Sequence, residues 1–458
     1  MTAVELQGKR VLVVGLGASG LSAAEVLVNA GAEVIVNDAR EEAALGERAT
    51  AARALGAELS LGGHDEELFT SVDRIVVSPG VPPLPALAAA DAAGVPIASE
   101  VELASWFIRG TVIAITGTNG KSTVTTMIGD MCRRTGRPTF VGGNLGEPVT
   151  EVVGTDAAGE DGIVVVELSS FQLERVEHFR AHVAVLLNVT EDHLDRYDSF
   201  ADYVAAKGRI FAGQTREDAA VVPAGDELSL SLARPSAATL HTFGGADGVV
   251  RVTGEMLENG TSSLAVPVAD LLIRGAHNRD NACAAALAAR LVGVAADQVA
   301  SVLTCFTGLP HRMQHVRRLA GVDYYDDSKA TNVGAATAAV DGLGEFEGRV
   351  VLLAGGVDKG GSWTPLVERL RDRGRAVIAL GEATEIVEGA FDGSGVLLKR
   401  ARDMDDAVEL AARLAEPGDV VLLAPACSSF DMFGSYSERG RAFAQSVGAL
   451  VAAEGEPS

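Results

Sequence analysis

Short, unbroken apolar runs recur along this chain, most of them followed by a glycine-bearing polar loop and then a helix-spaced pattern. Val11–Val14 is the first run, Gly15-Leu-Gly-Ala-Ser-Gly20 its loop, and a helix is predicted to about Ala30. Glu33–Asn37 is the second strand, ending at Asp38, and Ile75–Val77 and Pro96–Ala98 read as further strands. Val112–Ile115 feeds Thr116-Gly-Thr-Asn-Gly-Lys-Ser-Thr123. Behind that loop Val124, Met127, Ile128 and Met131 share one helical face, and Gly136 closes the helix. Gly162–Val166 and Val183–Leu187 are the next strands, and Phe200–Phe211 reads as a helix. Residues 223–268 break into short strands with glycine turns, and Gly275-Ala-His-Asn-Arg-Asp-Asn281 opens an Ala-rich helix. Arg349–Ala354, Ala376–Leu380 and Val420–Leu423 are strands that alternate with helices, and a frayed tail is expected from Glu454. Fully apolar strands alternating with helices predict parallel sheets buried on both faces.

The length, 458 residues, suits several cores. The expectation is an α/β protein of three domains. Residues 1–109 form a Rossmann-like domain. Residues 110–313 form a central domain of P-loop ATPase type, with a mainly parallel sheet and a small β part. Residues 314–458 form a second Rossmann-like domain. A formal charge of −24 excludes a nucleic-acid partner, since phosphate backbones need a basic footprint. An anionic ligand must therefore be held by local lysines, arginines, cations and helix N-termini. Cys132, Cys283, Cys305 and Cys427 are far apart, which fits a reducing compartment and no zinc site. No leader pattern opens the chain and no apolar run approaches the ~18 residues of a membrane span, so a soluble cytoplasmic protein is expected.

The candidate chemistry sits at the ends of the strands. Gly117, Thr118, Asn119, Gly120, Lys121, Ser122 and Thr123 form a glycine loop between strand and helix. Such a loop brings backbone N–H groups and a helix N-terminus onto a polyphosphate, with a lysine for its outer phosphates and a serine for Mg²⁺. The general pattern would put another glycine at Ile115, so the loop is a shorter variant; the plain alternative is a strand–turn–helix. Glu167, ending its strand, can hold Mg²⁺ or simply face solvent. His193 lies just past a strand end among acids, where a lone histidine is usually structural. Spacing alone makes Lys207 a solvated helix lysine. Lys359 reads as a loop lysine and Ser429 as a helix N-cap. The Gly15–Gly20 loop with Asp38 is a weak dinucleotide signal, and a tight packing turn explains it as well.

Together the motifs resemble the Mur ligases, the ATP-dependent amide-forming enzymes of peptidoglycan precursor synthesis, on their D-glutamate-adding branch. The resemblance is carried by Thr116–Thr123, Glu167-Leu-Ser-Ser-Phe-Gln-Leu173 and Asn188-Val-Thr-Glu-Asp-His-Leu-Asp-Arg-Tyr197. Gly308-Leu-Pro-His-Arg312, Asp327-Ser-Lys-Ala-Thr-Asn332 and Ala426-Cys-Ser-Ser-Phe-Asp431 complete it. It implies a monomer acting on UDP-N-acetylmuramoyl-L-alanine (UDP-MurNAc-L-Ala), D-glutamate and ATP with two Mg²⁺. It implies a UDP-sugar, not NAD, at Ala18, Ser19, Asp38, Arg40 and Gly80. It places Asn144 near the transferring phosphate, and Asn278, Asn281, Arg312 and Asp327 on the ATP side. It makes Lys207 a carbamate formed with CO₂ that shares one Mg²⁺ with His193, while Ser122 and Glu167 serve the other. Lys121, Asn144, Glu167, His193 and Lys207 would then be catalytic, and Thr331, Lys359, Ser429 and Tyr436 would hold D-glutamate. The Asp-Asn-Pro-Arg motif of the lysine- and diaminopimelate-adding relatives is absent, and Tyr436 stands where the D-glutamate branch has Phe. The rivals are an NAD-dependent dehydrogenase, which leaves Lys121, Glu167 and His193 without work, a nucleotide-gated binding module, and a folylpolyglutamate synthetase.

Overall fold

The computed structural model describes residues 3–194, 196–260, 264–273, 275–343 and 347–451. Asp195 of the acid–histidine motif and the tail from Glu454 lie outside them.

Three sheets organise the described chain. The first holds β1 (Arg10–Val14), β2 (Glu33–Asp38), β3 (Glu58–Leu61), β4 (Arg74–Val77) and β5 (Ile97–Ser99), in the order β3-β2-β1-β4-β5. All its pairings are parallel. The order reverses between β1 and β4, so the loops after these strands face each other across the switch point, where such sheets bind ligands.

The second sheet holds β6 (Thr111–Thr116), β7 (Thr139–Gly143), β8 (Ile163–Glu167), β9 (Val183–Leu186), β10 (Ala219–Pro223) and β11 (Thr239–Phe243). It continues with β12 (Val250–Thr253), β13 (Met256–Asn259) and β14 (Ala265–Pro267). Its order, β14-β13-β12-β11-β10-β9-β6-β8-β7, buries β6 between β9 and β8. The short strands after residue 223 are thus the outer edge of this sheet, with a helix, Glu227–Ala233, that the glycine-turn reading did not foresee. The helix expected over Phe200–Phe211 ends at Gly208 and tightens into a 3₁₀ turn.

The third sheet holds β15 (Gln314–Leu319), β16 (Val322–Asp326), β17 (Val350–Gly355), β18 (Gly374–Leu380), β19 (Leu397–Arg400) and β20 (Val420–Leu423), in the order β15-β16-β20-β17-β18-β19. β17, β18 and β20 answer the three strands expected there; β15, β16 and β19 were not foreseen. Every residue of β8, β9, β17 and β20 is buried. At ~1.5–3 kcal/mol per buried Val, Leu or Ile, these strands carry much of the stability.

The chain packs as two compact units. One comprises residues 1–189, 201–270 and 280–304; the other comprises 190–200, 271–279 and 305–458. In the first unit, the helix Glu100–Ser105 after β5 ties the first sheet to the segment before β9. The buried Glu102 carboxylate accepts the backbone N–H groups of Glu177, His178 and Phe179 and the Trp106 indole N–H. Burial pushes its pKa up, but these hydrogen bonds outweigh burial and hold it below the usual range. Among the described residues, no helix is long and apolar enough to cross a membrane.

Candidate functional site

The phosphate loop is a braced structure. Gly120 caps the helix Lys121–Arg133 at φ 85°, a left-handed conformation suited to glycine, and contributes no side-chain cap. A Cβ there would come within 2.4 Å of Asn281 Oδ1, so glycine also makes room for the asparagine above it. The helix N-terminus, with the positive end of its dipole, is of the kind that receives an anion. From the loop after β9, Asn188 clamps the glycine loop. Its carbonyl accepts from Thr118 N–H (2.9 Å), its Oδ1 from Asn119 N–H (2.9 Å), and its Nδ2 donates to Asn119 O (3.1 Å). Asn188 stands in a motif where the sequence alone assigns it no role; its place directly after a buried strand is the available signal.

Two lysines converge on this loop. Lys121 Nζ donates to Gly117 O (2.9 Å) and Thr118 O (2.8 Å). Lys207 Nζ donates to the same Gly117 O (2.8 Å) and lies 4.6 Å from the centre of the Tyr203 ring. The Tyr203 hydroxyl in turn meets Thr118 Oγ1. Lys207 is 1% exposed, so the expectation of a solvated lysine is overturned: its helix turns it inward, under the loop. Both amines thus share the Gly117 carbonyl.

Glu167 ends β8 in register with Ile115 of β6, beside the start of the loop. It is 2% exposed. Oε1 accepts from Asn144 Nδ2 at 2.6 Å, and Oε2 is buried with no hydrogen-bond partner among the described residues. The alternative of a carboxylate facing solvent is therefore excluded. An orphaned carboxylate oxygen is costly until a cation reaches it, so the residue fits a divalent ion. Ser122, buried in the helix's first turn, offers a hydroxyl of the kind that ligates Mg²⁺ beside phosphates.

At the first sheet's switch point, Ser78 Oγ donates to Gly15 O (3.0 Å). A Cβ on Gly20 would lie 1.8 Å from Gly15 O, so only glycine allows this approach of helix to loop. Ala18 and Ser19 begin that helix, and Gly80 is exposed in the turn after β4. Asp38 accepts from Leu16 N–H (2.7 Å) and from Arg40 Nε and Nη2 (2.8 Å each). The Arg40 hydrogen bond outweighs the opposing effect of burial and holds the Asp38 carboxyl well below the usual range. Both oxygens are thus engaged inside the protein, unlike the ribose-binding acid of an NAD site.

In the second unit, the loops after β16, β17 and β20 are woven together. Val357 and Ser428 exchange backbone hydrogen bonds, and Ala426 N–H donates to Ala330 O. Arg439, 2% exposed, staples them: its guanidinium reaches the Ser328 Oγ and O, Cys427 O and Ser428 O. Burial lowers its pKa to about 10. Nothing in the sequence pattern singled it out. Ser429 is buried and caps no helix; Ser435 caps the helix Tyr436–Ala449. Tyr436 faces Lys329 Nζ, 4.0 Å from its ring centre, and His311 edge-on. Lys359 Nζ lies 3.4 Å from Asp192 Oδ1 and 3.5 Å from Thr331 Oγ1.

Arg312 acts electrostatically on Asp327, whose pKa burial pushes up to about 7 against the pull of Arg312 and of a hydrogen bond from Met313. An acid with a raised folded pKa keeps its proton longer in the folded state, so stability falls as pH rises between its ordinary value and about 7. Asp327→Asn should match the parent in Tm near pH 4 and exceed it increasingly up to about pH 8, as read by thermal melts across pH. A constant difference would show that Asp327 does not titrate in this window.

His193 takes a left-handed φ of 55° and lies on the segment 190–200 of the second unit, its Nε2 3.7 Å from Asp192 Oδ2. Asn278 begins the helix Ala276–Leu291, one turn before Asn281.

A braced glycine loop, a helix N-terminus without a side-chain cap, a lysine and a buried carboxylate on a doubly wound sheet define a nucleotide-binding protein of the phosphate-loop kind. The chain matches the Mur ligase MurD-like N-terminal domain over residues 9–99, the Mur ligase middle domain over 115–289 and the Mur ligase glutamate ligase domain over 311–427. It belongs to the Mur ligase family. It is 45% identical, over 98% of each chain, to the UDP-N-acetylmuramoylalanine–D-glutamate ligase of Desulfosudis oleivorans. It is 44% identical to the protein of the same name from Geobacter metallireducens, over 98% of this chain and 100% of that one. Among solved structures, UDP-N-acetylmuramate-alanine ligase MurC of Thermotoga maritima aligns with a TM-score of 0.58 at 21% identity, covering 95% of this chain and 98% of that one. MurF of Acinetobacter baumannii aligns at 0.59 and 19%, covering 84% and 93%. These two share the fold.

Proposed function

We propose that the protein ligates D-glutamate to UDP-MurNAc-L-Ala at the expense of ATP, in peptidoglycan precursor synthesis in the cytoplasm. The observation that carries this reading is the end-to-end match, at 42–45% identity, to relatives that bear one name. The domains run over residues 1–109 for the UDP-sugar, 110–313 for ATP and 314–458 for the amino acid.

The alanyl carboxylate attacks the γ-phosphate of ATP, giving an acyl phosphate and ADP. The amine of D-glutamate attacks the acyl carbon, and phosphate leaves through a tetrahedral intermediate. Both reactants of the first step are anions, so charge neutralisation is the main task. Lys121 swings from its own loop carbonyls onto the phosphates, and the helix N-terminus holds them in place. Glu167 and Ser122 would hold a Mg²⁺, which supplies Lewis-acid screening between the two anions. Asn144 fixes the orientation of the Glu167 carboxylate. Asn281 closes over the loop beside the nucleotide. The Lys207 amine, as a carbamate, would become an anion able to hold a second Mg²⁺. Its burial beneath the loop, on a carbonyl already taken by Lys121, favours exchanging that cation for an anion, and the carbamate keeps an N–H for Gly117 O.

The test is ADP release with UDP-MurNAc-L-Ala against a panel of D- and L-amino acids, with and without dissolved CO₂. D-Glutamate alone should support saturable release, and CO₂ removal at mildly acidic pH should lower it until bicarbonate is added. Release with another amino acid and none with D-glutamate would overturn the reading. Insensitivity to CO₂ would remove the carbamate from it.

A further inference from the structure

Lys359 is a cation held beside its partners, not on them. Among the described residues its contacts are Asp192 Oδ1 at 3.4 Å and Thr331 Oγ1 at 3.5 Å, and its side chain is 17% exposed. A well-formed ammonium–carboxylate hydrogen bond is about 2.7–2.9 Å long. A largely buried ammonium with only long contacts is poorly compensated, and an incoming carboxylate corrects that.

Asp192 is firmly fixed. It is 5% exposed. Its Oδ2 accepts from Asn332 Nδ2 at 2.9 Å and its Oδ1 from the His193 N–H at 3.0 Å. Asn332 is itself anchored, because its Oδ1 caps the helix Val333–Gly342 through the Ala335 N–H. The Lys359 loop is pinned separately: the Asp358 carboxylate takes the Gly360 N–H (2.8 Å) and the Trp363 indole N–H (3.2 Å). Two opposite charges are thus presented by independently secured segments, a loose contact apart.

We propose that Asp192 receives the amine of the amino-acid substrate while Lys359 takes a carboxylate, so that this ion pair is the resting complement of a zwitterion. D-Glutamate opens the pair and replaces one long internal contact with two contacts of its own. An ionised carboxylate is purely an acceptor, so it takes N–H bonds from an ammonium or a neutral amine alike. With its N–H bonds turned to Asp192, the neutral amine keeps its lone pair directed away from the carboxylate, free to act as a nucleophile. Asp192 thereby selects for an amino acid over a plain dicarboxylate. This inference rests on the D-glutamate reading of the Lys359 loop.

The experiment uses the full-length enzyme and glutarate, which keeps both carboxylates and lacks the amine. Wild type is assayed first for D-glutamate-dependent ADP release; its absence overturns the functional reading and this inference with it. Asp192→Asn should then raise the D-glutamate KM at least about tenfold, the scale of a lost charged contact. The competitive Ki of glutarate should stay level or fall, because Lys359 loses a competing anion. Lys359→Ala should weaken both ligands. A D-glutamate KM and a glutarate Ki that rise together in Asp192→Asn would reduce Asp192 to a prop for Lys359 and overturn the proposal, as would a D-glutamate KM that does not move. Should Asp192→Asn fail to fold, wild type decides: glutarate must bind at least about tenfold more weakly than D-glutamate, and equal binding overturns the proposal.

Discussion

Lys121→Ala should lose at least about a hundredfold to a thousandfold in kcat, the cost of removing one preorganised donor from a developing oxyanion. UDP-MurNAc-L-Ala should still bind with nearly the parent affinity, measured by calorimetry without ATP. The lysine's resting contacts, Gly117 O and Thr118 O, belong to its own loop, and the loop is braced independently by Asn188. Removing the ammonium therefore leaves the cradle standing and takes away the charge that moves onto the phosphates. The substitution also relieves the crowding of two ammonium groups at Gly117 O. Thermal stability should hold or rise while turnover collapses. Near-normal turnover would show that the phosphates are held elsewhere.

Glu167→Gln is the second large effect. The amide nearly keeps the shape of the side chain and can still accept from Asn144, but the negative charge is gone. We expect kcat to fall about a hundredfold and the Mg²⁺ concentration for half-maximal rate to rise at least about tenfold, in the range of disturbed metal ligation. Stability should move the other way. Oε2 is a buried charge-bearing atom with no hydrogen-bond partner among the described residues, and neutralising it removes a desolvation cost. A higher ligand-free Tm together with a raised Mg²⁺ requirement is the expected signature, read from melts and a Mg²⁺ titration. A loss of rate that excess Mg²⁺ leaves untouched, with an unchanged Mg²⁺ midpoint, would move the cation away from Glu167.

The parts of the fold legible in the sequence are those where burial on both faces makes the strand wholly apolar. β9 and β20 are such strands, and β6, β8 and β17 each contain such a run. β3, β15 and β19 were missed because they lie at sheet edges, where Glu58, Gln314 and Arg400 can face water and erase the apolar run. The helix Glu227–Ala233 was lost among turn residues, since its Ser-Leu alternation mimics a strand. Site residues on a local motif were visible: the glycine loop announces itself by spacing. The burial of Lys207, the clamp of Asn188 and the staple of Arg439 were not. Each depends on which strands become neighbours, and single-chain periodicity carries no such information.

The second compact unit is not a continuous stretch of chain, because residues 190–200 and 271–279 leave the first unit to join it. That bears on how relatives can be recombined. A chimaera cut once, near residue 305, would swap the Lys359 loop and Asn332 but keep the native Asp192, which belongs with them. A graft that keeps the second unit whole must therefore carry three pieces of chain, 190–200, 271–279 and 305–458.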